Sequence, residues 1–280
     1  MSKNPQQKIE GKEEKQQELL KSQDLKTIKE LENKLGMSIQ ICYSSRYALD
    51  IYCRLDDDNR IIELGLHKLG KVRTEHLEII GKLTFVEIVR LQGNQISEIR
   101  GLDKLTNLKR LRLGNNKITK IEGLDNLTNL QEFDLSENEI TKIEGLDNLP
   151  NLEGLYLTNN QITKIEGLDN LPNLESLLLY NNQIAKIEGL SKLTNLQFIQ
   201  LEENQISEIR GLDNLPNLEG LYLGNNQIAK IEGLDNLPNL GSLNLQENQI
   251  AKIEGLSKLT NLERVDLQGN RIQVKPKINY

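Results

Sequence analysis

Few side chains in this sequence can do chemistry, and their spacing limits what they can do. Two histidines, His67 and His76, and two cysteines, Cys42 and Cys53, are the whole supply of soft metal ligands in 280 residues. They show no metal-ligand spacing. Asp56, Asp57 and Asp58 run consecutively into Asn59. They lack the alternating ligands and distal Glu of a calcium loop, so a plain turn is expected. There is no phosphate-cradling glycine loop and no Gly-x-Ser-x-Gly phrase. Neighbouring acids such as Glu202 and Glu203 would splay apart on a strand instead of sharing a proton. The expectation is a protein that is not an enzyme and needs no cofactor or metal.

What does recur is asparagine. Asn94, Asn116, Asn138, Asn160, Asn182, Asn204, Asn226, Asn248 and Asn270 stand 22 residues apart, nine in succession. Around each runs the phrase L-x-x-L-x-L-x-x-N-x-I-x-x-I-x-G-L-x-x-L. In one copy it comprises Leu152, Leu155, Leu157, Asn160, Ile162, Ile165, Gly167, Leu168 and Leu171. Leu155 and Leu157 have strand spacing. The period then changes to three, which suits a tight, turn-rich return in which side chains at i and i+3 eclipse. Each coil aims seven aliphatics at one axis, and a lone coil has nothing to bury them against. Stacking the coils buries them, at roughly 1.5–3 kcal/mol per aliphatic, and forces the strands into a parallel sheet. The asparagines are expected to end each strand as a structural ladder, since an amide donates and accepts at once. Gly167 and its equivalents are expected to need positive φ.

These phrases resemble the leucine-rich-repeat family. Ile-Glu-Gly-Leu followed by Asn-Leu-x-x-Leu-x-Leu is similar to the 22-residue subfamily typified by the nuclear regulatory subunit of protein phosphatase-1. Internalins share the period but are secreted. The resemblance covers roughly residues 83–274 and implies an α/β solenoid. Its horseshoe would carry a parallel sheet on the concave face and a 3₁₀- or turn-rich convex face. It also implies a non-enzymatic protein that holds another protein on the strand face. A phosphatase regulatory subunit is one such implied role.

The ends depart from the repeat. Residues 1–11 read as a disordered tail. Residues 12–82 read as an N-terminal cap: a helix over 12–35 closed by Gly36, a hairpin of strands Tyr47–Arg54 and Arg60–Leu66, and a divergent first coil. The helix serves as a cap or as a partner-binding amphipathic surface. Residues 83–274 form the solenoid and 275–280 a short tail. The last coil stops soon after Asn270, so either Val274–Tyr280 folds back or the strand edge pairs with a second chain.

The sequence contains its own paralogues. Residues 151–172 match 217–238 at 20 of 22 positions, 173–194 match 239–260 at 18, and 129–150 match 195–216 at 14, so a three-coil block is duplicated. Of the 2 + 4 + 8 = 14 differences, eight fall on outward strand positions, where chance would place about three (14 × 5/22). They include Glu132/Phe198, Asp134/Gln200, Leu178/Asn244 and Tyr180/Gln246. The strand face also gathers Tyr156, Leu178, Tyr180, Phe198 and Tyr222 within four adjacent coils, a patch about 14 Å long at sheet spacing. Gly154 and Gly220 beside the tyrosines are expected to leave room for an inserted group. Arg90, Arg110 and Arg112 cluster toward the N-terminal end, followed by Asp134 and Glu202. Aromatics bounded by charge suit a protein or peptide partner. A net charge of −6 argues against nucleic acid. No apolar run approaches a membrane span and no signal-peptide core is evident, so a cytoplasmic location is expected.

Overall fold

The structure, a computed structural model, describes residues 23–43 and 50–272. The expected tails at 1–11 and 275–280, and the first part of the expected helix, lie outside these residues. Helix α1, Gln23–Leu35, turns Leu25, Ile28, Leu31 and Leu35 inward. Gly36 closes it at φ 65°, the left-handed residue that often ends a helix. Asp24 on its first turn accepts a hydrogen bond from the Ile61 N–H at 3.0 Å, tying the helix to the sheet.

One sheet of 12 strands runs through the molecule in sequence order. Strands β1 (Gln40–Cys42), β2 (Ile51–Leu55) and β3 (Ile61–Leu66) open it. The expected hairpin is β2–β3, with Ile51 opposite Leu66; its forecast start at Tyr47 lies outside the described residues. Two elements went unforeseen. Strand β1 adds parallel to the outer side of β2. A short helix α2, Thr74–Ile80, occupies the return path of the first coil. The imidazole of His76 accepts from the Arg73 N–H at 2.9 Å, satisfying an amide that a helix start would otherwise leave open.

From β3 onward every neighbour is parallel. The strands are β4 (Ile88–Arg90), β5 (Arg110–Arg112), β6 (Glu132–Asp134), β7 (Gly154–Tyr156) and β8 (Ser176–Leu178). β9 (Phe198–Gln200), β10 (Gly220–Tyr222), β11 (Ser242–Asn244) and β12 (Arg264–Asp266) follow. All seven aliphatics of the coil that begins at Leu152 are at most 1% exposed. The return path is a chain of turns. Leu149 N–H donates to Leu146 O and Leu152 N–H to Leu149 O, at 3.2 and 3.1 Å. These i→i+3 bonds give the three-residue period its structural form.

The asparagine ladder forms as expected. Asn160 Oδ1 accepts from the Ile140 N–H at 3.0 Å, and its Nδ2 donates to Leu135 O and Leu157 O at 3.0 and 3.1 Å. Asn94, Asn116, Asn138, Asn182, Asn204, Asn226, Asn248 and Asn270 repeat the arrangement. In the first coil Val72 stands where the ladder residue would be, and its N–H donates to Asn94. A second ladder escaped the sequence reading. Asn107, Asn129, Asn151, Asn173, Asn195, Asn217, Asn239 and Asn261 each donate to a carbonyl 23 residues back, as Asn173 does to Pro150 O at 3.0 Å. Its signal was present as the same 22-residue recurrence. The order was masked because these residues open the phrase at its exposed corner. Pro fits the accepting position because only its carbonyl is used.

Gly167 has φ 71°, as expected, and a second constraint. A Cβ there would lie 2.5 Å from Ile143 O of the preceding coil. Packing at this corner is backbone against backbone.

Candidate protein-interaction face

Parallel register sets the outward side chains in rows across the strands. One row runs Arg90, Arg112, Asp134, Tyr156, Leu178, Gln200, Tyr222, Asn244 and Asp266. Beside it runs Arg110, Glu132, Gly154, Ser176, Phe198, Gly220, Ser242 and Arg264. Tyr180 and Glu202 lie just past the ends of β8 and β9. The face therefore brings together the residues singled out from the sequence. Tyr156, Leu178, Tyr180 and Tyr222 are half-buried, and Phe198 is 38% exposed.

The glycines do not leave the room expected of them. A Cβ on Gly154 would lie 2.6 Å from Tyr156 Oη, and one on Gly220 would lie 2.9 Å from Phe198 Cδ1 and 3.0 Å from Tyr222 Cε2. The aromatic rings lie down over the glycines and fill the space. The result is a ring-paved floor. Burial lifts the Tyr156 hydroxyl above its usual pKa, with Glu132 adding to the effect.

The arginines are paired. Arg90 Nε meets Glu63 at 3.1 Å, and Glu63 is buried and also holds Arg54 at 2.9 Å and the Tyr52 hydroxyl. Arg110 and Arg112 share Glu132 at 3.2 and 3.6 Å. Burial opposes ionisation of Glu63, but the bonds from Tyr52, Arg54 and Arg90 outweigh it and hold its carboxyl below the usual range. Asp134 caps its strand by accepting from the Ser136 N–H at 3.0 Å.

The other end of the face is different. Between β9 and β12 lies a depression of about 310 Å³ lined by Gln200, Glu202, Tyr222, Ser242, Asn244 and Arg264, with Leu243 and Asp266. The sequence reading named Glu202 and Tyr222 as candidates and left Ser242 and Arg264 aside, though both lie on outward strand positions. Glu202 Oε2 is buried on this wall without a hydrogen-bond partner. Burial raises the Glu202 carboxyl above the usual range, with Glu203 adding to the rise. Tyr180 bonds Glu203, which lifts its own hydroxyl pKa.

Cys42 and Cys53 are buried thiols, and burial pushes Cys53 up to about 12. Among the described residues no group of His, Cys, Asp or Glu is placed to hold a metal ion.

Nine stacked 22-residue coils with a parallel sheet on the concave side define a repeat solenoid. The family described as Leucine Rich repeats (2 copies) matches residues 84–126, 128–170, 172–214, 194–236, 216–248 and 238–276. The chain belongs to the leucine-rich-repeat family. It is similar to an internalin (inlF) of Listeria monocytogenes, with 30% identity, 75% of this chain and 68% of that one covered, and a TM-score of 0.64. Internalin C2 of the same organism gives 26% identity, 86% and 92% coverage, and a TM-score of 0.57. The ectodomain of the Arabidopsis thaliana receptor kinase GASSHO1/SCHENGEN3, solved in complex with CASPARIAN STRIP INTEGRITY FACTOR 2, gives 27%, 79% and 28%, and a TM-score of 0.66. No curated protein matches the chain.

Proposed function

We propose that this chain is a non-enzymatic scaffold that grips a protein or peptide partner on its concave sheet. The observation that carries the reading is the floor formed by Tyr156, Leu178, Phe198 and Tyr222 across neighbouring strands, on the face where the duplicated blocks diverge. Exposed rings bounded by paired charge suit an interface centre. The likeness to a receptor ectodomain solved with its factor supports the same use. A cytoplasmic location goes with this reading and fits the two buried thiols, which form no disulfide with each other. Among the described residues, no helix is long and apolar enough to cross a membrane.

The test is affinity capture from the source cell's lysate with the parent beside a variant carrying Tyr156→Ala, Tyr180→Ala, Phe198→Ala and Tyr222→Ala. A partner lost only with the variant supports the reading. An unchanged partner moves binding to the ends or the convex face.

A second reading has its own observation. Ile253 in the coil 239–260 is 56% exposed and Val265 in the next is 37% exposed, and among the described residues β12 has a neighbour on one side only, which favours self-association through that edge. A sedimentation mass that stays monomeric at every concentration would exclude it. Regulation of a protein phosphatase rests on the resemblance of the Ile-Glu-Gly-Leu phrase, and a binding and inhibition assay with the catalytic subunit decides it.

A further inference from the structure

Among the described residues, the two ends of the concave face differ in how their acids are paired. At the N-terminal end the acids and arginines neutralise each other, through Glu63 with Arg54 and Arg90 and through Glu132 with Arg110 and Arg112. At the other end, Glu202 makes no ion pair within 4 Å among the described residues, and its Oε2 has no hydrogen-bond partner. A buried carboxylate oxygen without a donor is costly, and a folded protein keeps one for a reason. The duplicated block sharpens the point. The position of Glu202 is Ser136 in the earlier copy, and that of Gln200 is Asp134. The acid therefore arose on a coil whose neighbours supply no base to meet it.

We propose that the depression between β9 and β12 receives an arginine side chain of the partner, its guanidinium paired with the Glu202 carboxylate and laid against the Tyr222 ring. The proposal rests on the concave-face reading and names the chemistry of one contact within it. The shape fits: about 310 Å³ takes one long side chain. The walls fit as well. Guanidinium is planar, meets a carboxylate with two parallel hydrogen bonds and stacks on an aromatic face, none of which an ammonium does as well. Gln200 and Asn244 line the same space and supply amide oxygens around the ring plane, although Asn244 Oδ1 already accepts from the Gln246 N–H at 3.0 Å. Arg264 stands on the far wall beside Asp266, two residues along the same strand. With Glu202 they give the lining two acids against one base, a net charge of one negative. On binding, the Glu202 side chain would rotate to bring its buried Oε2 to the guanidinium.

The experiment uses the whole chain with its seven tyrosines replaced by 3-fluorotyrosine, the Tyr222 resonance being assigned by Tyr222→Phe. The probe is Nα-acetyl-arginine amide, with the citrulline analogue as its neutral counterpart. A saturable shift of the Tyr222 resonance is expected with arginine. It should be at least tenfold weaker with citrulline and tenfold weaker in Glu202→Gln. Glu188→Gln, on the convex side, should leave it unchanged. Equal binding of citrulline, undiminished binding to Glu202→Gln, or no saturable shift overturns the proposal. The two readings fail separately. Loss of partner capture in the four-ring variant together with no arginine binding keeps the interface and removes this contact. Arginine binding at Tyr222 with capture unaffected by the four-ring variant keeps the contact and removes the interface.

Discussion

Asn160 joins two coils through one amide. It accepts from Ile140 N–H and donates to Leu135 O and Leu157 O, with a longer contact to Thr158 O at 3.3 Å. Asn160→Ala orphans the buried Ile140 N–H, whereas Leu135 O and Leu157 O keep a second donor in Asn138 and Asn182. At about 1–3 kcal/mol for that one orphaned group, a loss of roughly 1–3 kcal/mol is expected in urea unfolding. Glu202 behaves in the opposite way. Its folded pKa lies above its unfolded value, so its contribution to stability is fullest below the unfolded pKa of about 4.3 and is lost as pH rises through the folded one. Glu202→Gln should therefore melt higher than the parent at pH 7 and alike near pH 3. A lower melting point at pH 7 would show that Glu202 supports the fold. A residue that weakens the resting protein on its most divergent face is what a binding role leaves behind.

Among the elements, the turn glycines and the strand glycines carry different constraints. Gly167 needs both its left-handed φ and its missing side chain, with Ile143 O 2.5 Å from where a Cβ would sit. Gly167→Ala should cost at least 2 kcal/mol in the same unfolding assay, because no relaxed backbone avoids both problems. Gly241 has no atom closer than 3.8 Å to that point, and Glu219 and Glu263 occupy the equivalent place in the neighbouring coils. Gly241→Ala should be neutral or stabilising by about 0.4–1 kcal/mol. This contrast also shows what the sequence could reveal. Residue types repeated 22 apart disclose strands, ladder and turn, since each coil repeats its neighbour's answer. Helix α2 did not announce itself, because Leu77 and Ile80 share the three-residue spacing that forms turns in every other coil. At Gly154 and Gly220, sequence shows that a side chain is missing. Only coordinates show which neighbouring ring lies over the gap. The partner of Arg90 was hidden for a related reason: Glu63 belongs to the cap, outside the repeat's phase.

Taken whole, the molecule is close to one-dimensional, each coil touching the next. Stability is then a sum over neighbours, and a coil with one neighbour holds least. Leu221 is fully buried in the interior of the stack, whereas Val265 on β12 is 37% exposed. Leu221→Ala should cost about 2–5 kcal/mol and Val265→Ala under about 1 kcal/mol. Hydrogen exchange should reach the amides of β12 well before those of β10. Equal protection along the sheet would mean that the last coil is covered in solution.

The 66-residue duplication has a consequence for inheritance. Residues 217–238 repeat 151–172 at 20 of 22 positions, so excising 151–216 would hand the coil at 129–150 a successor almost identical to the one it lost. No new coil junction has to be invented, and the shortened chain should fold with circular dichroism per residue like the parent's. It would keep Tyr222 in the place of Tyr156 but lose Leu178, Tyr180 and Phe198. Unequal crossing-over within such a gene can lengthen or shorten the protein in whole steps, changing the reach of its recognition surface while every surviving joint remains one that has already been tried.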